Sequence, residues 1–588
     1  MKTAALRFPW VFAVTGAVQG WILWWLWHAL GTGQWPATQP MAMWTILYAT
    51  LAVPVAIYGT QDVEGLPRRV RWLAVLGYLG VYAGLGAYAS WTSGAAGCEL
   101  QGPPLDVLDA CEMQGRPQDM LAACVLGFVS LSLLCGFDFE ARRWRYARLF
   151  NYSWRNGILL LTARAMTGAV WLVLFAGAGL MKLITVDWIF KLIQKSIFIY
   201  PVTGLVVAGA VALGIARAAM TENIRRFWLS ISAWLLPLVL LFGVVWVLVL
   251  PFTTLTPLFN TQSAALVLLW FTALAVKFAN CAYQDGSGVS PYPAWLGRVT
   301  QAAWLSLLPI VAIAWWALGL RVAQYGWSEL RLWAALVALL AAIYALGYTL
   351  SWRQSGRWMT GIARTNIVAA VVLCLGLLAF LTPLASIQRL AVAAHLHHVK
   401  TAGDNTEPDW NYLRWRSGRF GHEALQTMDA GGVANPEWAN KAREVLAQTS
   451  RYQQSPLVAT DAAVVQKLLV YPTGRQLPAT FVADIKVTDK LMFNDCVEAS
   501  QPCDVWLGDL NGDGVDELVL LHSEGYGRDT LFVYTQGAWQ SKGQLTSPSA
   551  PADRYTPADL NAASAAPPEW HDLRIGNARW RIDASSER

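Results

Sequence analysis

Up to about Leu384, apolar runs of roughly twenty residues alternate with short polar breaks; beyond it the runs shorten and polar residues interleave as in a water-facing domain. A helix needs about 20 apolar residues to cross the hydrocarbon core. Eleven segments meet that requirement: 9–31, 41–59, 71–92, 119–137, 157–184, 199–219, 227–250, 263–281, 299–320, 330–351 and 363–384. The first follows Lys2 and Arg7 as a signal peptide would. It is too long and too rich in Trp, and no small-x-small site follows, so it is expected to stay as an anchor. Between spans five and six, VDWIFKLIQKSIF (Val186 to Phe198) sets Lys191, Gln194 and Lys195 among apolar residues at helical spacing. It reads either as an interfacial helix or as an extension of span five.

Past the spans, residues 400–470 read as helical. NPEWANKAREVLAQTS offers Asn435 as N-cap and Pro436 at the first helical position. TDAAVVQKLLVY (Thr460 to Tyr471) predicts a second amphipathic helix. From about 480 the pattern changes to short β-type runs, TFVADIKV, DVWLGDL, ELVLLHSE and TLFVYTQ, with Gly-containing turns between them. The tail from Thr546 reads as loop with one last strand near Trp580. The fold class expected is a polytopic α-helical membrane protein of about eleven transmembrane helices followed by an α+β extracytoplasmic domain. Its divisions are a helical membrane domain over 1–395, a helical juxtamembrane region over 396–475 and a small β-rich domain over 476–588.

Composition agrees. The 588 residues are 55% hydrophobic and 14% charged, with a mean hydropathy of +0.37, which favours a membrane protein over a large soluble enzyme. The net charge of +6 does not suggest a nucleic-acid partner, because the basic residues sit in short loops between apolar runs. There they act as orientation signals. One set of loops holds Lys2, Arg7, Arg68, Arg69, Arg71, Arg142, Arg143, Arg145, Arg148, Arg155, Arg217, Arg225, Arg226, Arg298, Arg353, Arg357 and Arg364; the opposite set holds Arg116, Lys191, Lys195 and Arg321. The rich set is expected in the cytoplasm. An odd number of spans then puts the N-terminus inside and the C-terminal domain outside, in the periplasm for a bacterial inner membrane.

Cysteine placement is an independent check on that orientation. Cys124, Cys135, Cys281 and Cys374 lie within spans, where a thiol is usually a small core hydrophobe. Cys98 and Cys111 flank the longest inter-helix loop, and Cys496 and Cys503 lie in NDCVEASQPCD. The charge rule puts all four on the oxidising side, so the local pairs Cys98–Cys111 and Cys496–Cys503 are expected disulfides.

The spans themselves carry little chemistry. Arg164, Lys182 and Lys277 fall near predicted ends, where snorkelling accounts for them. No Asp or Glu lies well inside a span, which weakens a proton-coupled carrier. Pro201, Pro237 and Pro309 read as packing or kink positions. His395, His397 and His398 form HLHH after the last span and read as an interfacial polar collar more readily than as a metal site.

Two stretches carry a family resemblance. AQYGWSELRLWAALVALLAAIYALGYTLS (Ala323 to Ser351) and DWNYLRWRSGRFGHEAL (Asp409 to Leu425) resemble bacterial integral-membrane proteins of domain-of-unknown-function family 4153, over roughly residues 150–430. The resemblance implies a polytopic inner-membrane protein in a lipid bilayer and carries over no catalytic residue. In the second stretch Tyr412, Leu413, Trp415 and Phe420 offer an apolar face, and Arg414, Arg416 and Arg419 offer cations. It reads as a docking segment or as an anionic-headgroup contact.

The most explicit chemistry is DLNGDGVDE. Counting from Asp509, oxygen donors fall at Asp509, Asn511 and Asp513, Gly514 supplies the sharp turn, the Val515 carbonyl is next, and Glu517 is ninth. The twelfth position, Glu in an EF-hand, is Leu520, and the flanks favour strands. The loop therefore resembles the FG-GAP, integrin-like strand-loop-strand calcium site and not a helical switch. It occurs once, so a propeller is not expected. Ca2+ is the expected cofactor, holding a fold on the outer face. Three functions remain open at this point: an envelope scaffold or sensor with an envelope protein or lipid partner; a transporter or flippase of a lipid or envelope precursor; and a membrane-embedded transferase using Asp106, Asp109 or Glu112.

Overall fold

The computed structural model describes residues 9–60, 63, 65–93, 117–253, 255, 258–259, 261, 263–286, 290–352, 359, 361–402, 407–431, 436–448, 461–489, 492–493, 496–497, 502–521, 529–545, 556–565, 573–575 and 578–580. The chain forms two compact units, Met1–Arg451 and Tyr452–Arg588.

Eleven helices among the described residues of the first unit are long and apolar enough to cross a membrane. They are α1 (Trp10–Thr32), α2 (Pro40–Gly59), α3 (Arg68–Ser93), α4 (Gln118–Gly136), α5 (Tyr146–Leu183), α6 (Ser196–Ala216), α7 (Ala218–Phe252), α8 (Ala264–Tyr283), α9 (Ala294–Tyr325), α10 (Glu329–Ser351) and α11 (Gly361–Phe380). Each matches one of the eleven apolar segments. Helices are what such sequences must form in lipid, because no water is present to satisfy an open backbone. The largest difference is in α5, which begins eleven residues before its apolar segment. Its 38 residues extend about 57 Å at about 1.5 Å per residue, well beyond the hydrocarbon thickness.

Small residues set the closest helix approaches. A Cβ on Gly204 of α6 would stand 2.2 Å from the Gly16 carbonyl oxygen of α1, and one on Gly20 would stand 2.5 Å from Cα of Pro201. The same holds for Gly86 of α3 against the Trp44 carbonyl oxygen of α2, at 2.4 Å. Pro201 is therefore a packing residue. After α5 the chain turns at Thr185, with φ of +65°, and forms a separate seven-residue helix, Asp187–Ile193. VDWIFKLIQKSIF is thus not an extension of span five.

Between α4 and α5, the strands β1 (Phe137–Asp138) and β2 (Arg143–Trp144) form a small hairpin. Asp138 closes it by accepting from the Glu140 and Ala141 backbone N–H groups and pairing with Arg145 at 2.5 Å. After α11 come α12 (Ile387–Ala402), a π-helical turn (Tyr412–Arg416), α13 (Gly418–Asp429) and α14 (Pro436–Ala447). They share a small core of Val392, Leu413, Leu425, Met428, Ala442 and Val445. This helical platform belongs to the first unit. Asn435, the expected N-cap, lies outside the described residues, while Pro436 opens α14 as expected.

The second unit is built on a five-stranded sheet: β3 (Leu468–Tyr471), β4 (Cys503–Gly508), β5 (Glu517–Leu521), β6 (Thr530–Thr535) and β7 (Ala538–Gln544), in that spatial order. β3 and β4 are parallel and the other pairs antiparallel. Val505, Leu507, Leu518, Leu520 and Phe532 face one side, under the helices α15 (Asp461–Gln466) and α16 (Phe481–Thr488). On the other side Tyr471, Trp506 and Val519 gather round Leu560 of α17 (Pro557–Ala562). A last two-stranded ribbon pairs β8 (Leu573–Ile575) with β9 (Ala578–Trp580), where a strand was expected.

Two local expectations are corrected. TDAAVVQKLLVY is helix only to Gln466; its second half is β3, because Leu468 to Tyr471 find a parallel partner in Cys503 to Trp506. TFVADIKV is helix and not strand. Its β-branched residues suggested a strand, but Phe481, Val482 and Ile485 also fit one helical face, and the sheet supplies the surface that buries them.

Candidate functional site

The hairpin between β4 and β5 carries the oxygen-rich loop. Gly508 pairs with Glu517, so Asp509 to Asp516 form the connection. The chain can turn this sharply because Gly512 and Gly514 take φ of +78° and +83°, a region that penalises any Cβ. The freed backbone N–H groups point inward at Asp509. Its Oδ2 accepts from Gly514 at 2.9 Å and its Oδ1 from Gly512 at 2.6 Å and Asp513 at 3.2 Å. Those bonds, Gly514's first, hold the Asp509 carboxyl below its ordinary pKa and keep it charged.

Glu517 is buried, and its Oε2 accepts from the Leu510 backbone at 2.7 Å. The Asn511 amide nitrogen stands between two carboxylates, 2.8 Å from Asp513 Oδ2 and 2.7 Å from Glu517 Oε1. Asp516, outside the expected ligand set, pairs with Arg475. Among the described residues no group of three or more His, Cys, Asp or Glu side chains is gathered as a metal site. A cation here would draw as well on the Asn511 amide and the Val515 carbonyl. The donor set is all oxygen, which suits a hard cation. At the opposite end of β4 from this loop, Cys496 and Cys503 are joined, their Cα atoms 5.3 Å apart, with both residues buried in the sheet's main core. Cys98, Cys111, Asp106, Asp109 and Glu112 lie outside the described residues.

The arginine-bearing stretch is part of the platform. Arg414 donates to the Val445 and Gln448 carbonyls at 3.2 and 3.0 Å, so it caps the C-terminal end of α14. Arg419 pairs with Glu423 and lies over the ring of Trp91 in α3, 4.3 Å from its centroid. Phe420 meets the same Trp91 edge-on, and Gly418 sits so close to Thr92 that a Cβ would approach its carbonyl oxygen to 2.3 Å. Arg416 closes the π turn. The segment thus docks against the end of α3. HLHH is dispersed in the same platform. His395 accepts from the Asp409 backbone N–H at 3.0 Å, His398 abuts Gly326, and His397 is exposed. Burial pushes the His395 pKa below its ordinary 6.5.

The sequence reading missed two features of the bundle. In the first, Asn366 of α11 accepts from Tyr348 of α10 at 2.8 Å, and its amide donates to Tyr146 of α5 at 2.9 Å and to Asn280 of α8 at 2.5 Å. Four helices are tied by one buried polar cluster, and its only sequence signal is an Asn within each of two apolar spans. The second is a cavity of about 290 Å³ between α2, α3, α4 and α5, closed at one point by Val211 of α6. Its wall is apolar apart from Tyr hydroxyls and Asn156, and no linear motif marks it.

No curated protein and no solved structure matches the chain. One family does, over residues 21–430, which takes in ten of the spans and the platform as far as α13, more of the chain than the two motifs suggested. The protein is a multi-pass membrane protein belonging to the family described as Domain of unknown function (DUF4153).

Proposed function

We propose that the protein is an envelope scaffold or sensor of the bacterial inner membrane, with its N-terminus cytoplasmic and its C-terminal unit in the periplasm, stabilised there by calcium. The observation that carries this reading is the β4–β5 hairpin. Asp513 and buried Glu517 both approach the Asn511 amide, while Asp509 is held charged nearby by the loop's own N–H groups, so the loop concentrates negative charge that a cation would offset. In the arrangement described, the Asn511 amide nitrogen holds the place of a positive charge between Asp513 and Glu517. Turning that amide by half a rotation would release its oxygen from the Asp513 N–H, 2.8 Å away, and aim it between the two carboxylates, where three oxygens would face a cation. The arginine-rich loops support the orientation. The Cys496–Cys503 pair fits an oxidising side. Calcium loops on outer faces bind at roughly 10⁻⁴–10⁻³ M, a range suited to holding a fold.

The test is thermal unfolding of the full-length protein after chelation, titrated with calcium, beside the Asp509→Asn, Asp513→Asn double variant. A rise confined to the C-terminal unit at millimolar calcium, lost in the variant, supports a scaffold. A micromolar response that also shifts the bundle supports a sensor. No shift in the wild type would remove calcium from the reading. Transport of a lipid or envelope precursor is the second reading, favoured by the cavity in the bundle; a transferase has no comparable support.

A further inference from the structure

Two residues that line the bundle cavity each carry a buried polar atom with no hydrogen-bond partner among the described residues: the Tyr58 hydroxyl and the Asn156 amide nitrogen. Two other tyrosines of the wall behave differently. Tyr78 donates to the Gly127 carbonyl and Tyr82 to the Ala123 carbonyl, each at 2.8 Å. Asn156 is half satisfied, since its Oδ1 accepts from Arg155 at 3.2 Å. That bond fixes the amide and leaves its N–H groups unused. A buried donor without an acceptor is costly, so such a pair is normally matched by a water or a ligand.

The depth of the site identifies the ligand. Arg155 donates to the Gly59 carbonyl at 3.0 Å, so Asn156 stands level with the last turn of α2, where Tyr58 is. From there the wall runs along α2 to Tyr48. Ten helical residues are about 15 Å, half of a hydrocarbon core about 30 Å thick. The cavity therefore reaches from the arginine-rich membrane edge to the midplane, the depth of one leaflet. Two wall residues, Val55 and Leu160, are 41% and 67% exposed, as a cavity that opens between them requires. Its volume is near the lower end of the roughly 300–1,000 Å³ of small-molecule sites.

We infer that this cavity binds one acyl chain of a membrane phospholipid, with the Tyr58 hydroxyl and the Asn156 amide donating to its ester or phosphate oxygens. The chain enters between Val55 and Leu160 and lies along α2. Arg155, next to Asn156, adds positive charge at the phosphate end. This site is independent of the calcium reading, since it lies wholly in the first unit.

The experiment reconstitutes the full-length protein in phosphatidylethanolamine and phosphatidylglycerol vesicles with a phospholipid bearing a photoreactive group on its acyl chain. The expected adducts concentrate on residues 48–59, 120–131 and 156–160, and excess unlabelled phospholipid competes them away. Leu160→Trp, at an exposed position that tolerates a larger ring, lowers them several-fold. The Tyr58→Phe, Asn156→Leu double variant lowers phospholipid labelling while a photoreactive free fatty acid labels as before. Adducts spread evenly over all lipid-facing helices would overturn the site. Equal labelling by fatty acid and phospholipid, unchanged in the double variant, would overturn the role of the two donors. Should the double variant fail to fold, Tyr58→Phe and Asn156→Leu are read singly for the donors, and the wild-type map with its competition still decides the site.

Discussion

The bundle and the C-terminal unit hold together by different means. In the C-terminal unit large apolar side chains are collected away from water. Phe481 is fully buried and meets Phe493, Phe532 and Trp539, its ring centroid 5.7, 5.2 and 5.6 Å from theirs. In the bundle large apolar side chains face outward as often as inward: Trp72, Leu160, Leu172 and Leu266 are all more than 60% exposed. Lipid is as apolar as leucine, so burying them there gains little. What orders the bundle is close approach at glycine and a few buried hydrogen bonds. The same residue type therefore carries different weight in the two units.

The largest effect is expected at Phe481. Phe481→Ala should cost about 3–5 kcal/mol, the usual loss for an aromatic core residue. The expected readout is loss of the C-terminal unit's unfolding transition with the bundle's transition unchanged. If both transitions fall together, the units are not separate in stability.

A smaller effect is expected at Gly204. Adding one methyl there drives it into the Gly16 carbonyl, and overpacking of this kind costs about 1–3 kcal/mol. Gly204→Ala should lower the bundle's unfolding temperature in detergent. Gly77→Ala, with nothing within 4 Å of the new Cβ, should leave it unchanged or raise it slightly, because Ala favours the helix. Equal effects would show that packing at glycine does not order the bundle.

The smallest effect is expected at the platform. The folded-state pKa of His395 lies below its unfolded value because burial disfavours the imidazolium. Its contribution to stability is then fully present above about pH 6.5 and is lost as pH falls through the folded pKa. Protonation also removes the lone pair that accepts from the Asp409 backbone. Hydrogen exchange at residues 409–416 should quicken as pH drops from about 7.5 to 5 beyond the intrinsic change. In His395→Gln that extra dependence should disappear, whereas the hairpin of the second unit should show no dependence on His395.

Much of the membrane fold was legible because apolar length is read directly by the bilayer. The run from Ala264 to Tyr283 has one low-energy way to satisfy its backbone in lipid, and every span is specified in the same manner. The turn chemistry of DLNGDGVDE was equally local: Gly512 and Gly514 permit φ values other residues resist, so a hairpin with inward-facing N–H groups follows from the sequence. The sequence by itself thus determined the eleven helices, the sheet-based character of the C-terminal unit and the sharp turn of its loop. Tertiary structure decided what depends on partners distant in the chain. TFVADIKV became helix and Leu468 to Tyr471 became strand because a sheet elsewhere offered the matching surface or edge. Asn366 gained its meaning from Tyr146, Asn280 and Tyr348, and Tyr58 and Asn156 gained theirs from a cavity that five helices build. Periodicity records which face of an element is apolar, but not what stands opposite that face. Only the folded chain supplies the neighbour, and with it the cost of leaving a donor unmatched.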